Sequence, residues 1–297
     1  MSPSAARRVS VIINPAAGGG RAGRALPAVE RALRSAGFEY HVETTRSLEH
    51  AVELALQAAA DQAIAAACGG DGLVGAVAGA LRHSDGVLGI LPGGRGNDLA
   101  RVLRIPSDPT AAVGVLASGV VRSLDLGEIH GRTFVGIASC GFDSEANRIA
   151  NEARIVRGNV VYAYGALRAL AAWRPATFTV TLDGREPRTI TGYTIAAANS
   201  KAYGGGMFLA PDASLDDGLL DVVMVENVPK RRFLRQLPTV FKGEHVRQPT
   251  VHVQKAATVE IAADRSFTMY ADGDPIAELP VTVRALPAAV RVITPTP

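Results

Sequence analysis

The sequence predicts an α/β domain with a parallel sheet over residues 1–124, followed by a mostly antiparallel β-sandwich domain over residues 125–285. In the first part, apolar strand patterns alternate with helical patterns, which is typical of a parallel sheet covered by helices. Short strand patterns dominate from Ser123 onward, as they do in sandwich domains. The length of 297 residues is also sufficient for two domains.

The elements of the first domain follow from hydrophobic periodicity and from turn-forming residues. Ser47 is placed to cap one helix, because its hydroxyl can accept a hydrogen bond from an N–H of the first turn. Pro106 ends another helical pattern. We expect strands at 9–13, 39–43, 62–67 and 87–91, and helices at 23–36, 48–60, 73–81 and 99–103.

The second domain contains short strand patterns and two helical stretches. The dipeptide Asp183-Gly184 lies between two β-rich runs, which indicates a hairpin turn. The helical stretches are expected at 143–173 and 230–242. The strands are expected at 123–129, 132–138, 177–182, 189–198, 220–225, 257–263 and 267–271.

Three glycine-rich turns in the first domain each separate a strand from a helix. Their sequences are Asn14-Pro15-Ala16-Ala17-Gly18-Gly19-Gly20, Gly69-Gly70-Asp71-Gly72 and Pro92-Gly93-Gly94-Arg95-Gly96-Asn97-Asp98. Parallel strands bring such turns to one edge of a sheet. Glycine turns at helix starts present backbone N–H groups to phosphate. The sequence therefore predicts a nucleotide site, although none of the turns is a Walker A or GxGxxG motif.

Some residues of these turns allow two interpretations. Asp71 would repel phosphate unless a cation or hydroxyl lies between them, so it indicates metal-bound nucleotide or polar nucleotide groups. It could instead be only the N-cap of the following helix. Asn97 or Asp98 can cap the helix after the third turn. Arg95 can bind an anion, or it can be a solvated loop charge.

In these segments the chain resembles the bacterial diacylglycerol kinase catalytic-domain family, which shares an NAD kinase-like fold with NAD kinases and sphingosine kinases. The family pattern runs Asn-Pro-x-x-Gly, Gly-Gly-Asp-Gly-Thr-x-x-Glu and Pro-x-Gly-Thr-x-Asn-Asp-x-Ala, and all three occur here in order with departures. Asp216-Asp217-Gly218-Leu219 and Asp272-Gly273-Asp274 resemble two later family segments. The resemblance covers nearly the whole chain, and it implies that residues 286–297 return to complete the first domain.

The departures concern nucleotide contacts. Leu73 and Arg95 stand where the family has threonine, Ala76 stands for glutamate, and Asp274 stands for the glutamate of Asp-Gly-Glu. Two hydroxyls that would bind phosphate are lost, and Arg95 could compensate. These replacements bear on nucleotide preference and rate more than on fold.

The resemblance implies an ATP-dependent lipid kinase that transfers the γ-phosphate to a lipid hydroxyl in a cleft between the two domains. It implies Asp272 as the catalytic base with Asp274 beside it, although Asp272-Gly273 alone could be a simple hairpin turn. It implies a structural Mg²⁺ held by the Ser214 carbonyl, the Asp217 carboxylate and the Leu219 carbonyl, whereas the alternative is a solvated acidic turn. The nucleotide residues it implies are Asn14, Pro15, Gly18, Thr45, Gly69, Gly70, Asp71, Gly72, Gly75, Gly94, Arg95, Asn97 and Asp98.

Two other functions remain open at this point. One is an NAD kinase, which shares the Gly-Gly-Asp-Gly turn. The other is a nucleotide-binding regulatory protein with weak transfer activity, which the replacements at Leu73, Ala76 and Arg95 suggest. The acceptor lipid is not determined by the sequence, and a homodimer is left open.

Composition sets broader limits. The net charge of +3 and the isoelectric point near 9.0 make the chain only mildly basic, which does not by itself indicate nucleic acid as a partner. No apolar run has the length of a membrane span. The segment before the first strand lacks the apolar stretch of a signal peptide. Cys68 and Cys140 lie in apolar contexts typical of reduced core residues. We therefore expect a cytoplasmic protein.

Residues 230–247 form the densest basic region of the chain. Lysines and arginines alternate there with Phe233, Leu234 and Phe241, which is the pattern of a basic amphipathic helix interrupted by Pro238. Such a segment can attach a protein peripherally to an anionic membrane. It could equally be a solvated charged face. Met207 and Phe208, after a predicted strand, either contact a lipid chain or belong to the core.

Overall fold

The structure, a computed structural model, describes residues 7–152 and 160–296. They divide into two compact units. The first unit contains the described residues up to Leu126 together with those from Pro287 onward, and the second contains Gly127–Leu286. The boundaries predicted from sequence were 124/125 and 285/286.

The first unit is an α/β fold in which four strands and the last part of β15, Val281–Thr294, pair in parallel. The strand order is β15–β4–β3–β1–β2, and β5 also pairs with β15. Helix α1 packs against α5, and α2 packs against α3. The elements are β1 Arg8–Ile13, α1 Ala17–Ser35, β2 Glu39–Thr44, α2 Leu48–Ala60, β3 Ile64–Gly69, α3 Asp71–Ala80, β4 Val87–Pro92, α4 Asp98–Val102, α5 Pro109–Ser118 and β5 Val120–Ile129.

Buried aliphatic residues explain why these strands lie inside the unit. The alanines of β3 are fully buried, as are Val11 and Ile12 of β1. A strand with both faces covered needs a continuous apolar run, and small alanines let helices approach closely. The Ser47 hydroxyl accepts a hydrogen bond of 3.2 Å from the His50 N–H, which confirms the predicted cap of α2.

The second unit is built from antiparallel strands. The order is β14–β13–β7–β9–β8–β12–β15, and β10 pairs with both β9 and β11. The elements are β6 Arg132–Phe134, β7 Ile137–Gly141, α6 Phe142–Glu152, α7 Val160–Ala172, β8 Ala176–Leu182, β9 Arg188–Ala198, β10 Leu220–Glu226, α8 Lys230–Gln236, β11 Val251–Ala256, β12 Thr258–Ala263, β13 Thr268–Ala271, β14 Asp274–Glu278 and β15 Val281–Thr294.

The core of the second unit lies between its β layers. Phe134, Phe178 and Met269 are among its buried residues. A second cluster joins α6, α7 and α8 through Phe142, Trp173 and other apolar side chains. Asp183 and Gly184 both have positive φ, at 50° and 68°, which confirms the predicted hairpin turn.

Several elements differ from the sequence predictions. The strand expected at 132–138 is broken at residues 135–136, and Pro238 ends α8 so that a 3-10 turn follows at Leu237–Lys242. Helix α1 is assigned from Ala17, but Gly18, Gly19 and Gly20 have positive φ, so regular helix begins after them. The helix expected at 143–173 is two helices, and residues 153–159 lie outside the described residues. The sequence patterns missed α5, β11 and β14.

Within the described residues, no helix has the length and apolarity needed to span a membrane. Met207 packs partly buried against a core cluster of the second unit, which favours its core interpretation.

Candidate functional site

The three glycine-rich turns meet at the carboxyl ends of β1, β3 and β4. The N–H groups of Gly93 and Gly94 donate to the Gly69 carbonyl at 2.7 and 3.0 Å. A Cβ added to Gly94 would lie 2.3 Å from the Cα of Gly70, and one added to Gly18 would lie 2.4 Å from the Gly93 oxygen. Only glycine permits such close contact between backbones. The sequence prediction that these turns share one sheet edge is therefore confirmed.

Asp71 joins the second turn to the third. Its two carboxylate oxygens accept hydrogen bonds from the backbone N–H groups of Asn97, at 2.8 Å, and Asp98, at 2.6 Å. Hydrogen bonds to an ionised acceptor are stronger than neutral ones. Asp71 therefore fixes the start of α4, which is a structural role that neither sequence interpretation described.

Asn97 does not cap α4 with its side chain, contrary to one prediction. It occupies the N-cap position with a left-handed backbone, φ 51°. Its side chain turns back to Gly94 instead, accepting from the Gly94 N–H at 2.9 Å and donating to the Gly94 oxygen at 3.1 Å. Asp98 lies in the first turn of α4, 4.0 Å from the Arg101 guanidinium. These contacts make the third turn rigid.

Two arginines lie at these turns in different settings. The Arg21 guanidinium donates to the Gly94 carbonyl and ties the first turn to the third. Arg95 is exposed, and within the described residues its side chain has no hydrogen-bond or ion-pair partner. An unpaired guanidinium beside glycine turns can bind phosphate in a bidentate manner.

The remaining predicted nucleotide residues lie around the same edge. The Asn14 side chain accepts from the Ala16 N–H at 3.1 Å and so shapes the first turn, in which Pro15 follows. Thr45, just after β2, donates its N–H to the Ile13 oxygen at 2.8 Å. Gly72 and Gly75 lie in the first turns of α3, whose N-cap Gly70 provides no side-chain cap.

Leu73 fills space that a hydroxyl would leave open. It is 4% exposed, and a Cβ added to Gly69 would lie 2.7 Å from its Cδ2 atom. The replacement of the family threonine therefore adds an apolar contact under the second turn. It contributes to packing rather than to phosphate binding.

In the second unit, the Asp272 carboxylate accepts three backbone hydrogen bonds. Oδ2 accepts from the Val135 N–H at 2.8 Å, and Oδ1 accepts from Gly136 at 2.9 Å and Ile137 at 3.2 Å. This explains the break between β6 and β7, because these N–H groups bond to a side chain instead of a strand. Asp272 and Gly273 have φ of 51° and 97° and form the turn of the β13–β14 hairpin. Asp274 is exposed at the start of β14.

Asp217, one of the predicted metal ligands, contacts a lysine. Its Oδ1 accepts from the Leu219 N–H at 3.1 Å, and Oδ2 lies 2.5 Å from Lys255 Nζ. The Ser214 hydroxyl donates to Asp216 at 2.5 Å. No group of three or more His, Cys, Asp or Glu side chains within the described residues could hold a metal, whereas the site implied by the resemblance uses one carboxylate and two backbone carbonyls. The Lys255 ammonium group already supplies a positive charge at Asp217, so Mg²⁺ at this carboxylate would have to displace it.

Lys255 also lies 3.7 Å from Asp221 Oδ2, and the Asp221 side chain is 3% exposed. Burial raises the pKa of Asp221, and the nearby Lys255 opposes that shift. The hydrogen bond to Asp217 raises the pKa of Lys255. Lys255 thus lies beside two carboxylates, Asp217 on the turn before β10 and Asp221 in β10.

The sequence patterns missed Asp143, at the start of α6. Its carboxylate accepts from the Thr194 hydroxyl at 3.1 Å and from the Tyr203 hydroxyl at 3.4 Å. Burial is the main cause of the raised pKa of Asp143, and burial next to Asp143 also raises the pKa of Tyr203. The available signal in the sequence was that Asp143 closely follows the apolar strand β7. Acidic residues are rarely buried without partners.

Comparison with known proteins identifies the family. Residues 8–129 match the diacylglycerol kinase catalytic domain, and residues 136–294 match the YegS C-terminal NAD kinase beta sandwich-like domain. A diacylglycerol kinase of Mycobacterium tuberculosis (strain ATCC 25618 / H37Rv) is 35% identical over 297 residues, covering 97% of this chain and 95% of that protein. This chain belongs to the diacylglycerol kinase family. The resemblance seen in the sequence motifs is confirmed.

Other relatives agree with this family and fold. A diacylglycerol kinase of Bacillus subtilis (strain 168) is 28% identical and covers 97% of each chain. The crystal structure of a diacylglycerol kinase from Bacillus anthracis str. Sterne superposes with a TM-score of 0.75 at 20% identity, over 98% of both chains. An NAD kinase from Archaeoglobus fulgidus in complex with ATP gives a TM-score of 0.52 at 13% identity, over 97% of this chain and 93% of that one. The NAD kinase-like fold, with an α/β domain and a β-sandwich, is thereby confirmed.

Proposed function

We propose that this diacylglycerol kinase family member transfers the γ-phosphate of ATP to the hydroxyl of a membrane lipid. The observation that carries the proposal is the meeting of three glycine-rich turns at one edge of a parallel sheet, with an unpaired arginine beside them. A site of this kind suits a polyphosphate, because backbone N–H groups and a guanidinium both favour negative charge.

On the donor side, some residues fix the glycine-rich turns, and other groups are placed to contact the nucleotide. Asp71 and Asn97 fix the second and third turns through hydrogen bonds from their side chains to backbone groups. Gly70 leaves the start of α3 without a side-chain cap, so the first N–H groups of that helix can bind phosphate. Arg95 would then bind the outer phosphates in place of the family threonine. ATP would arrive with Mg²⁺, which neutralises its phosphates during transfer.

On the acceptor side, we assign Asp272 to the lipid hydroxyl. Phosphoryl transfer has a loose transition state, so orientation of the nucleophile contributes more than early proton removal. Three backbone N–H groups hold the Asp272 carboxylate in one orientation. A carboxylate oxygen can accept more than one hydrogen bond, so this network and contact with a hydroxyl are compatible. Asp274, exposed on the same hairpin, has a secondary role.

We further propose that the basic segment 230–247 binds the membrane surface. Its α8 portion packs Phe233 into the second unit and leaves Leu234 44% exposed. Phe241, in the following 3-10 turn, is 56% exposed. Exposed apolar side chains among lysines and arginines suit an anionic lipid surface, where each basic residue contributes about 1 kcal/mol.

One experiment separates this function from its alternatives. The protein is incubated with γ-labelled ATP, a total lipid extract and NAD, and the labelled product is identified by chromatography and mass spectrometry. We expect label in an organic-soluble lipid phosphate. Label on added NAD instead would identify an NAD kinase. ATP binding by calorimetry without label in either product would identify a nucleotide-binding regulatory protein.

A further inference from the structure

The second unit contains a cavity of about 580 Å³ between its helices and the edge of its sheet. Residues of α6, the end of α7 and the β13–β14 hairpin line it. The lining includes Trp173, Phe267 and Tyr270 together with Arg148, Arg174 and Arg265. This volume lies in the range of small-molecule sites, which are mostly apolar with a few polar groups. None of the residues assigned above to nucleotide or to the acceptor hydroxyl lines this cavity.

Trp173 lines the cavity and carries a buried donor. The side chain is 6% exposed, and among the described residues its indole N–H has no hydrogen-bond acceptor. The ring is held by edge contact with Phe142, at 6.0 Å between centroids, and by stacking with Tyr193, at 5.9 Å. A buried N–H without an acceptor is unfavourable, so a ligand oxygen that reached it would be favoured.

Three arginines and two glutamates line the cavity, so the net charge of its lining is +1. Arg148 pairs with Glu145 at 2.6 Å, and Glu278 accepts from the Thr268 hydroxyl at 2.6 Å. Within the described residues, the Arg174 side chain has no hydrogen-bond or ion-pair partner.

Arg265 is another cation at the cavity, and its position is fixed. Its guanidinium donates to the backbone oxygens of Pro175, at 3.1 Å, and Arg174, at 2.6 Å. It also lies over the rings of Trp173, at 5.7 Å, and Phe267, at 5.0 Å. These contacts orient the guanidinium without neutralising its charge. Two cations beside an aromatic wall suit a molecule with an anionic group and an apolar part.

The basic segment 230–247 contacts the same wall. Lys230 Nζ donates to the Ala171 oxygen at 2.9 Å, two residues before Trp173. Phe233 of α8 packs on Phe142, with ring centroids 4.8 Å apart, and Phe142 contacts Trp173. The wall and the basic segment therefore share one aromatic cluster.

We propose that this cavity binds a lipid phosphate, with its phosphate group at Arg174 and Arg265, an oxygen at the Trp173 N–H, and its apolar part against Phe267. The inference goes beyond the proposed function, because the acceptor of a diacylglycerol kinase reaction has an uncharged head group. The lipid phosphate has two sources, the phosphomonoester product of a lipid kinase and the phosphodiester lipids of the bilayer.

Trp173 is the sole tryptophan of the 297-residue chain, so its emission reports on this cavity and on the aromatic cluster that it joins, and the arginine variants below separate the two. The full chain, without ATP, is titrated with short-chain dioctanoyl phosphatidate, dioctanoyl phosphatidylglycerol or dioctanoylglycerol. We expect saturable emission changes with one or both phosphate lipids, at least about 10-fold tighter than with dioctanoylglycerol. Binding of phosphatidate alone would indicate the product as the source, and binding of both would indicate bilayer lipid.

Variants test the named contacts. Arg174→Gln should weaken phosphatidate binding about 10-fold, whereas Arg185→Gln, on the β8–β9 turn away from the lining residues, should not. Trp173→Phe, followed by calorimetry, should weaken it about 5-fold. Equal affinity for dioctanoylglycerol, an equal effect of the two arginine variants, or a full emission change with inorganic phosphate alone would overturn the proposal. Because no step uses ATP or turnover, a failed kinase assay would leave this result unaffected.

Discussion

Asp71 Oδ1 accepts a hydrogen bond of 2.6 Å from the backbone N–H of Asp98, which lies 27 residues further along the chain. With the companion bond from Asn97, one side chain connects two of the three glycine-rich turns. The start of α4 is therefore capped from another turn of the sheet edge rather than by its own N-cap residue.

Asp71→Ala should lower both stability and ATP affinity. Loss of two charge-assisted hydrogen bonds should reduce the free energy of unfolding by about 2–3 kcal/mol. Calorimetric unfolding and ATP titration measure the two effects. Asp71→Asn retains one acceptor oxygen and should fall between wild type and alanine. Unfolding of Asp71→Ala at the wild-type temperature would show that the carboxylate does not hold these turns.

Arg95→Ala should weaken ATP binding without changing stability. The side chain is exposed and unpaired within the described residues, so its loss leaves the fold unchanged. Loss of a charge-assisted phosphate contact should raise KM for ATP about 10-fold or more. Arg82→Ala, at the opposite end of α3, is the matched control. If both variants have the same KM, Arg95 is only a solvated charge.

Asp272→Asn should lower kcat at least about 100-fold, because it removes an orienting carboxylate from the proposed acceptor site. An asparagine amide cannot accept at both positions, so it also loses part of the bonding to Val135, Gly136 and Ile137. Rates are therefore measured per folded molecule, with ATP affinity expected near wild type. Asp274→Asn should have a smaller effect. A loss of ATP binding in Asp272→Asn would move that residue to the donor side.

Lys255→Met should destabilise the second unit. It leaves Asp217 and the buried Asp221 without a counter-charge, at a cost of about 1–2 kcal/mol after allowance for solvent screening. The pKa of Lys255 is raised above its ordinary 10.5 by its bond to Asp217. Its contribution is therefore complete below pH 10.5 and is lost as the pH rises through the higher folded value.

Thermal unfolding measures the loss of stability in Lys255→Met, and it also tests whether a lysine or a metal ion pairs with Asp217. Because Lys255 already occupies Asp217, the melting temperature of the wild-type protein without nucleotide should not change between EDTA and Mg²⁺. A rise with Mg²⁺ that disappears in Asp217→Ala would instead establish the divalent-cation site implied by the family resemblance.

His245 should make the protein less stable in mild acid. Burial lowers the pKa of this imidazole below its ordinary 6.5, although the hydrogen bond with the Leu209 oxygen opposes the shift. The unfolded chain then binds more protons near and below pH 6.5, so stability falls as pH falls through this range. Melting temperatures between pH 7.5 and 5.5 test this for wild type and His245→Gln. An equal slope in both proteins would exclude His245 as the cause.

Local sequence signals predicted the parts of the fold that depend on neighbouring residues. The Ser47 cap, the Asp183-Gly184 hairpin and the glycine turns all have short-range patterns. The three N–H groups bonded to Asp272 lie more than 130 residues away in sequence, so no local pattern contains that contact. For the same reason the strand expected at 132–138 was wrong in its centre.

Strand β15 contributes to both units. Its residues up to Arg284 pair with β12, whereas Arg291 and Val292 pair with Val87 and Leu88 of β4. Strand β5 also pairs with β15. The α/β unit therefore needs residues that follow the whole second unit in sequence to complete its sheet. A fragment that ended at Leu126 would leave β4 with an unpaired edge, which is a recognised route to aggregation, while keeping every glycine-rich turn.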